Sequence, residues 1–256
     1  MPSNSGHNVE TANMTDQNQI FGQTDIVKLS DEDASVALLE HAVTGLWEVV
    51  NDLARFRRTT RQNYRVTIFG SARIKPGTPA YEGVKKLAAE LTSMGCDILT
   101  GGGPGLMQAA NEGAYSVDPN GLRRSVGINI ELPFEQQVNP FVSQAYGHRT
   151  FFSRLHHFMI ASDASVVVPG GIGSLLELSI AWQLLQVRKL YNTPLILVGK
   201  MWANLVDWAR NAMLIEGSEL ASDADFKIPH CVNTIEETIA LIRENRAAWL
   251  ASQPPK

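Results

Sequence analysis

The 256-residue chain is poor in cysteine, with only Cys96 and Cys231, far apart in sequence. Two such residues supply neither a disulfide framework nor a metal site. Cys96 stands in an apolar strand context, where a small buried hydrophobe is the expected role. Basic residues are also in deficit, since 22 Lys and Arg against 26 Asp and Glu leave a net charge of −4. A protein that grips nucleic acid by its phosphates needs a basic surface, so no nucleic acid polymer is expected as a partner. Apolar runs fall short of the roughly 20 residues that span a bilayer, so no membrane partner is expected. The opening MPSNSGHNVETANMTDQNQ has no basic stretch leading into an apolar one. It does not read as a secretory signal, and a cytoplasmic location is expected. The acidic run Asp31-Glu32-Asp33 lacks the spaced oxygens and glycine of a calcium loop and reads as helix N-terminal charge. No metal is expected.

What is present suffices for one large core, with 44% of residues hydrophobic and 19% charged. Residues 1–29 carry too little apolar content to fold alone and are expected to form a disordered tail. Ser30 and Asp33 then give a helix start signal. Leu38, Leu39, Ala42, Val43, Leu46, Val49, Val50 and Leu53 recur at helical spacing, which predicts an amphipathic helix over residues 30–62. Its end is basic (Arg55, Arg57, Arg58, Arg61), which suits the negative end of a helix dipole.

From Tyr64 the pattern changes. Strands are predicted at Arg65–Phe69, Asp97–Thr100, Ser125–Ile130, Ser165–Val168 and Pro194–Val198. Helices are predicted at 79–94, 104–116, 150–161, 174–190 and 202–216, with a last one near 234–250. The alternation predicts an α/β fold over residues 63–251: a Rossmann-like, doubly wound parallel sheet with helices on both faces, plus the extra N-terminal helix. The 174–190 segment is apolar nearly all round, which fits a fully buried helix or a subunit interface. Ligands of such sheets bind beyond the carboxyl ends of the strands, where strand order reverses.

Three predicted strand ends are glycine-rich. IFGSARI has Gly70 and Ser71, and LTGGGPGLMQAANEGA has Gly101, Gly102, Gly103 and Gly105. VVVPGGIGSLLELSIAW has Gly170, Gly171, Gly173 and Ser174. Glycines let the backbone approach a ligand, and a helix N-terminus turns unpaired amides toward an anion. A dinucleotide fingerprint fails, because Leu106 and Gln108 stand where its last glycine would fall. No Gly-Lys-Ser/Thr follows any of these strands, so a P-loop fails too. The second glycine of a nucleophile elbow is missing around Ser174. A mononucleotide or sugar phosphate is the expected ligand. Ser174 and Glu177 also form Ser-x-x-Glu, a capping box in which the serine caps the helix and the glutamate bonds back to the turn. Spacing alone favours that cap over catalysis.

PGGIGSLLE at 169–177 resembles the PGGxGTxxE signature of the LOG family, the cytokinin riboside 5′-monophosphate phosphoribohydrolases, many of which are labelled possible lysine decarboxylases. GGGPGLMQAANEGA, GINIELPFEQ and FFSRLHHFMIASDASVVVPGG extend the resemblance over roughly residues 64–245. It implies hydrolysis of the N-ribosidic bond of a nucleoside 5′-monophosphate, cytokinin riboside monophosphate or AMP-like, to free base and ribose 5-phosphate. The family's catalytic pair carries over onto Arg154 and Glu177. The glycine turns with Ser71, Met107, Ser174 and Glu135 are then the substrate-binding residues. No cofactor is implied, and a homodimer or larger homo-oligomer is expected. Leu155 stands where the family commonly has lysine, which removes one cation near the substrate; Ser174 replaces the signature threonine and keeps its hydroxyl.

Lysine decarboxylation itself would need pyridoxal phosphate on a lysine Schiff base, and Lys200, at a strand end, reads as surface. His156 and His157 read as packing or surface residues. The alternative from another class is a carrier: molybdenum-cofactor carrier proteins resemble the same fold and would hold a phosphate-bearing pterin in the same turns without hydrolysing anything.

Overall fold

The computed structural model describes residues 35–45, 62–120, 124–131 and 138–253. The chain divides into two units, residues 1–54 and 55–256. In the first, residues 35–45 are helical (α1), with Val36, Leu38, Leu39 and Val43 exposed. The expected tail and the basic end of the expected N-terminal helix lie outside the described residues. No described helix is long and apolar enough to cross a membrane.

In the second unit the strands and helices alternate from Tyr64 onward. The order is β1 (Tyr64–Phe69), α2 (Pro79–Ser93), β2 (Cys96–Thr100), α3 (Leu106–Val117), β3 (Ser125–Ile130), β4 (Gln144–His148), α4 (Phe151–Ala161) and β5 (Ala164–Val167). There follow α5 (Ile172–Gln186), β6 (Leu195–Val198), α6 (Lys200–Met213), β7 (Leu214–Ile215), β8 (Ser218–Glu219), β9 (Pro229–Val232) and α7 (Ile235–Ala251). Seven strands form one sheet in the order β4-β3-β2-β1-β5-β6-β9, and every neighbouring pair in it is parallel. The short β7–β8 hairpin is separate and antiparallel.

The sheet is covered on both faces. One hydrophobic cluster joins Val66, Ile68 and Ile98 to Leu87 of α2, Ala109 of α3 and Ile242 of α7. The other joins Phe69, Leu99 and Val167 to Phe158 of α4, Leu178 of α5 and Trp202 of α6. Alternate residues of one strand thus feed opposite cores, as the period-two geometry of a strand requires. This is the doubly wound, Rossmann-like fold that the alternation predicts.

Three details depart from expectation. Strands β4 and β9 lie at the two edges of the sheet and were not predicted. QAYGH is mostly exposed and PHCV opens on proline, so neither carries the apolar run of a central strand. Helix α6 ends at Met213, and the residues expected to prolong it form β7. Finally, α5 is not the fully buried helix that was one of two expectations for it, for it leaves Ile172 and Leu176 exposed.

Chain order along the sheet reverses between β1 and β5. From β1 the chain steps outward through β2, β3 and β4, then returns to β5 on the other side of β1. The turns after β1 and β5 therefore abut, with Ser71 N donating to the Pro169 carbonyl at 3.1 Å. A crevice must open above this point, because the helices that follow these strands depart to opposite faces.

Candidate active site

The crevice is a cleft of about 900 Å³. Its walls are the turns after β1, β2 and β5, the end of β3, and the first turns of α4, α5 and α6. Of the residues singled out from sequence, Gly70, Ser71, Gly101, Gly102, Gly103, Met107, Arg154, Gly170, Gly171, Gly173, Ser174 and Glu177 all line it. Glu135 lies outside the described residues. Gly105 does not line the cleft. It precedes α3 with φ +70°, and a methyl group on it would lie 2.5 Å from the Ala72 carbonyl carbon. Leu106 N donates to the Ser71 carbonyl at 2.8 Å. Gly105 thus fastens α3 beneath the β1 turn. Gly105→Ala combines a left-handed backbone with a backbone collision and is expected to cost about 3 kcal/mol. A urea midpoint left unchanged would show that the two turns part without penalty.

The start of helix α5 decides whether Glu177 belongs to a cap. Its N-cap is Gly171, with no side-chain cap, and Leu175 N donates to the Gly171 carbonyl at 3.0 Å. The helix thus starts at Ile172, two residues before the sequence-based boundary. Ser174 is consequently its third residue and not its cap, and Glu177 lies on the second turn. The capping box is overturned, since a glutamate there is beyond reach of the N-cap amide. The first amides of α5 have no intrahelical acceptor, and Ile172, Gly173 and Ser174 all border the cleft. They form a ready site for an anion.

The Glu177 carboxylate instead meets Arg154. Thr150 caps α4 by accepting from Ser153 N, and Arg154 projects from the first turn of that helix. Its Nε donates to the Ile128 carbonyl at 2.8 Å and its Nη1 to Glu177 Oε1 at 3.3 Å. The guanidinium carbon lies 5.1 Å from the centre of the Phe158 ring, within reach of a cation–π contact. Gly101 makes room for the guanidinium, because a methyl group there would lie 2.5 Å from Arg154 Nη2 and 2.6 Å from Met107 Sδ.

The Arg154 and Glu177 side chains are only 12% and 11% exposed. Burial disfavours both charges, so it lowers the arginine's pKa. It also pushes the Glu177 carboxyl up to about 7, although the arginine's charge pulls it back down. A carboxyl that titrates near neutrality at the floor of a cleft can hold or take up a proton.

Other predicted features fall elsewhere. Leu155 is buried and does not line the cleft, so its difference from lysine takes no cation out of the site. His157 Nδ1 lies 3.0 Å from His148 Nε2 and its ring packs on Tyr146. Lys200 opens α6, and among the described residues no lysine lines the cleft. A pyridoxal Schiff base therefore has no partner there, and the residues present do not fit that cofactor. Among the described residues no group of three or more His, Cys, Asp and Glu is placed to hold a metal.

Sequence reasoning missed Arg73, Asn129, Phe151 and the α6 wall of Met201, Trp202 and Leu205, which also line the cleft. Arg73 and Asn129 follow or end strands already marked as important, so strand-end position was an available signal. The α6 wall carried none, for it arrives through tertiary packing. Trp202 Nε1 donates to the Val168 carbonyl at 3.1 Å and ties α6 to the end of β5.

Comparison with known proteins bears on this arrangement. A family model described as possible lysine decarboxylase matches residues 107–242, more than half of the chain. No curated protein matches the chain. Among solved structures, the molybdenum cofactor carrier protein of Chlamydomonas reinhardtii is 18% identical and aligns with a TM-score of 0.54 over 73% of this chain and 99% of its own. The molybdenum cofactor binding protein of Rippkaea orientalis is also 18% identical, with a TM-score of 0.55 over 72% of this chain and 98% of its own. At that identity the likeness concerns the fold alone.

Proposed function

The chain belongs to the LOG family, whose model is described as possible lysine decarboxylase, and on that premise we propose that it hydrolyses the N-ribosidic bond of a nucleoside 5′-monophosphate. The products are free base and ribose 5-phosphate. The observation that carries the reading is the buried Arg154–Glu177 pair at 3.3 Å on the cleft floor, between two glycine turns suited to phosphate. The open amides of α5 and the Gly101–Gly103 turn hold the phosphate and the ribose it bears. As the bond from C1′ to the base breaks, its electrons leave with the base and C1′ gains oxocarbenium character. The Glu177 carboxylate stabilises that charge and takes the proton of the attacking water, whose oxygen bonds to C1′. The departing base gains its proton from solvent, and Glu177 returns its own to solvent to restore the carboxylate. Arg154 holds the carboxylate in place and offers the rest of its planar fork to the substrate.

Incubating the protein with a panel of nucleoside 5′-monophosphates and assaying free base tests the reading. Release of base from at least one of them is expected. Release from none, with tight retention of a phosphorylated pterin, would replace hydrolysis by the carrier alternative.

The pH dependence has a definite sign. The active form of Glu177 is the carboxylate, and its pKa is raised to about 7. The kcat/KM for base release is therefore expected to rise with pH, with a midpoint near neutrality. That is above the second ionisation of a phosphomonoester, at about 6. A profile flat from pH 5 to 8 would remove Glu177 from the role of base.

A further inference from the structure

Behind the Gly101–Gly103 turn, on the side away from the cleft, lies a buried polar network that the proposed chemistry does not use. Asn139, on the connection from β3 to β4, is its hub and is 7% exposed. Its backbone N–H donates to the Gly102 carbonyl at 2.8 Å. Its side-chain Nδ2 lies 3.1 Å from the same carbonyl and 3.0 Å from the Gly103 carbonyl. It is also 3.0 Å from Asn111 Oδ1. Asn111 is fully buried; it accepts from Thr100 Oγ1 at 2.7 Å and donates to Ser125 Oγ at 2.9 Å. Thr100 Oγ1 accepts in turn from Gly102 N at 2.9 Å. Phe141 N closes the hub by donating to Asn139 Oδ1 at 3.2 Å.

A turn that is to meet an anion has a difficulty that glycine alone does not solve. Each peptide unit carries a carbonyl as well as an amide, and a carbonyl oxygen left facing the cleft would repel a phosphate. Here the Gly102 and Gly103 carbonyls are both taken by one side chain that does not border the cleft. A glycine-rich turn is otherwise free to rotate its peptides, so a buried, satisfied clamp fixes which groups it presents. We infer that Asn139, backed by Asn111, is a positioning residue that sets the Gly101–Gly103 turn for a phosphorylated ribose. The inference rests on the proposed reading of what that turn faces.

Binding is therefore measured apart from turnover, by calorimetry with ribose 5-phosphate on the full chain. Asn139→Ala is expected to weaken binding about tenfold or more, as the loss of two buried hydrogen bonds would. Its kcat at saturating nucleotide should stay within about threefold of the parent, because Arg154 and Glu177 are untouched. Asn139→Asp keeps the shape but sets a carboxylate against two carbonyls, and should weaken binding at least as much. Asn139→Ser retains one donor, serves if the alanine variant fails to fold, and should lie between. Ser125→Ala removes the far end of the network without touching the turn, so it should lose stability but bind as the parent does. The inference is overturned if the Asn139 variants bind as tightly as the parent, or if Ser125→Ala weakens binding equally. A parent that binds ribose 5-phosphate but releases no base, with Asn139→Ala weakened, would sink the hydrolase reading and leave this inference standing.

Discussion

Glu177→Gln is expected to lower base release from a nucleoside 5′-monophosphate by about 10³-fold, with KM changed only a few-fold. The amide has the same shape and can still accept from Arg154, so the floor of the cleft keeps its form. On the proposed reading, what it loses is the negative charge that faces C1′ and the ability to accept a proton. Both matter most in the transition state, when C1′ is cationic and the water is losing its proton, so the loss should fall on kcat. Helix α5 has its N-cap at Gly171 without any side-chain cap, so the substitution removes no capping interaction. Steady-state assay of free base, with circular dichroism and a melting curve as controls, measures the effect. A variant that retains more than about a tenth of the parent's kcat would remove Glu177 from the chemistry.

Arg154→Ala is expected to lower kcat/KM by about 10²- to 10³-fold and to shift the pH profile. The guanidinium serves the Ile128 carbonyl and Glu177 at once, and its Nη2 edge faces Gly101. Removing it leaves a buried carboxylate without its cation. The arginine's charge holds the Glu177 pKa down against burial, so its loss raises that pKa further. At pH 7 more of the carboxyl is then protonated and inactive. The acid limb should move to higher pH, and part of the activity should return as pH is raised. Arg154→Lys should rescue little, because a point charge on a flexible stem cannot serve a carbonyl and a carboxylate in two directions. An acid limb unmoved in Arg154→Ala, even with activity reduced, would show that the pair is not electrostatically coupled in turnover.

The two substitutions also separate the competing uses of the cleft. In a carrier, neither change should alter any turnover, since there is none, and any effect would fall on ligand retention. In a hydrolase, both changes act on turnover far more than on the affinity for ribose 5-phosphate.

Much of this molecule could be read from local pattern. The alternation of short apolar runs with helical spacing from Tyr64 onward determined the parallel sheet, because strand burial and helix amphipathicity are written in neighbouring residues. The glycine turns were visible for the same reason, and the spacing from Arg154 to PGGIGSLLE marked both members of the pair through its resemblance to a known family. Edge strands β4 and β9 were not visible, since an edge is half-solvated and needs no apolar run. The role of Glu177 was legible only as an ambiguity. Ser-x-x-Glu fits a cap if the helix starts at Ser174 and a cleft residue if it starts at Ile172. Two residues of helix boundary decide between them, and local propensity does not resolve so small a difference.

Tertiary structure decided that boundary, together with everything that depends on strand order. Only the reversal between β1 and β5 brings three turns separated in sequence to one crevice. Only that packing sets Arg154 against a carboxylate 23 residues away, and Asn139 against carbonyls 36 and 37 residues away. The sequence by itself determined the central strands and the helices between them, because those depend on contacts within a few residues. Which elements become neighbours was decided by the sheet, because burying both of its faces fixes an order that no local stretch contains.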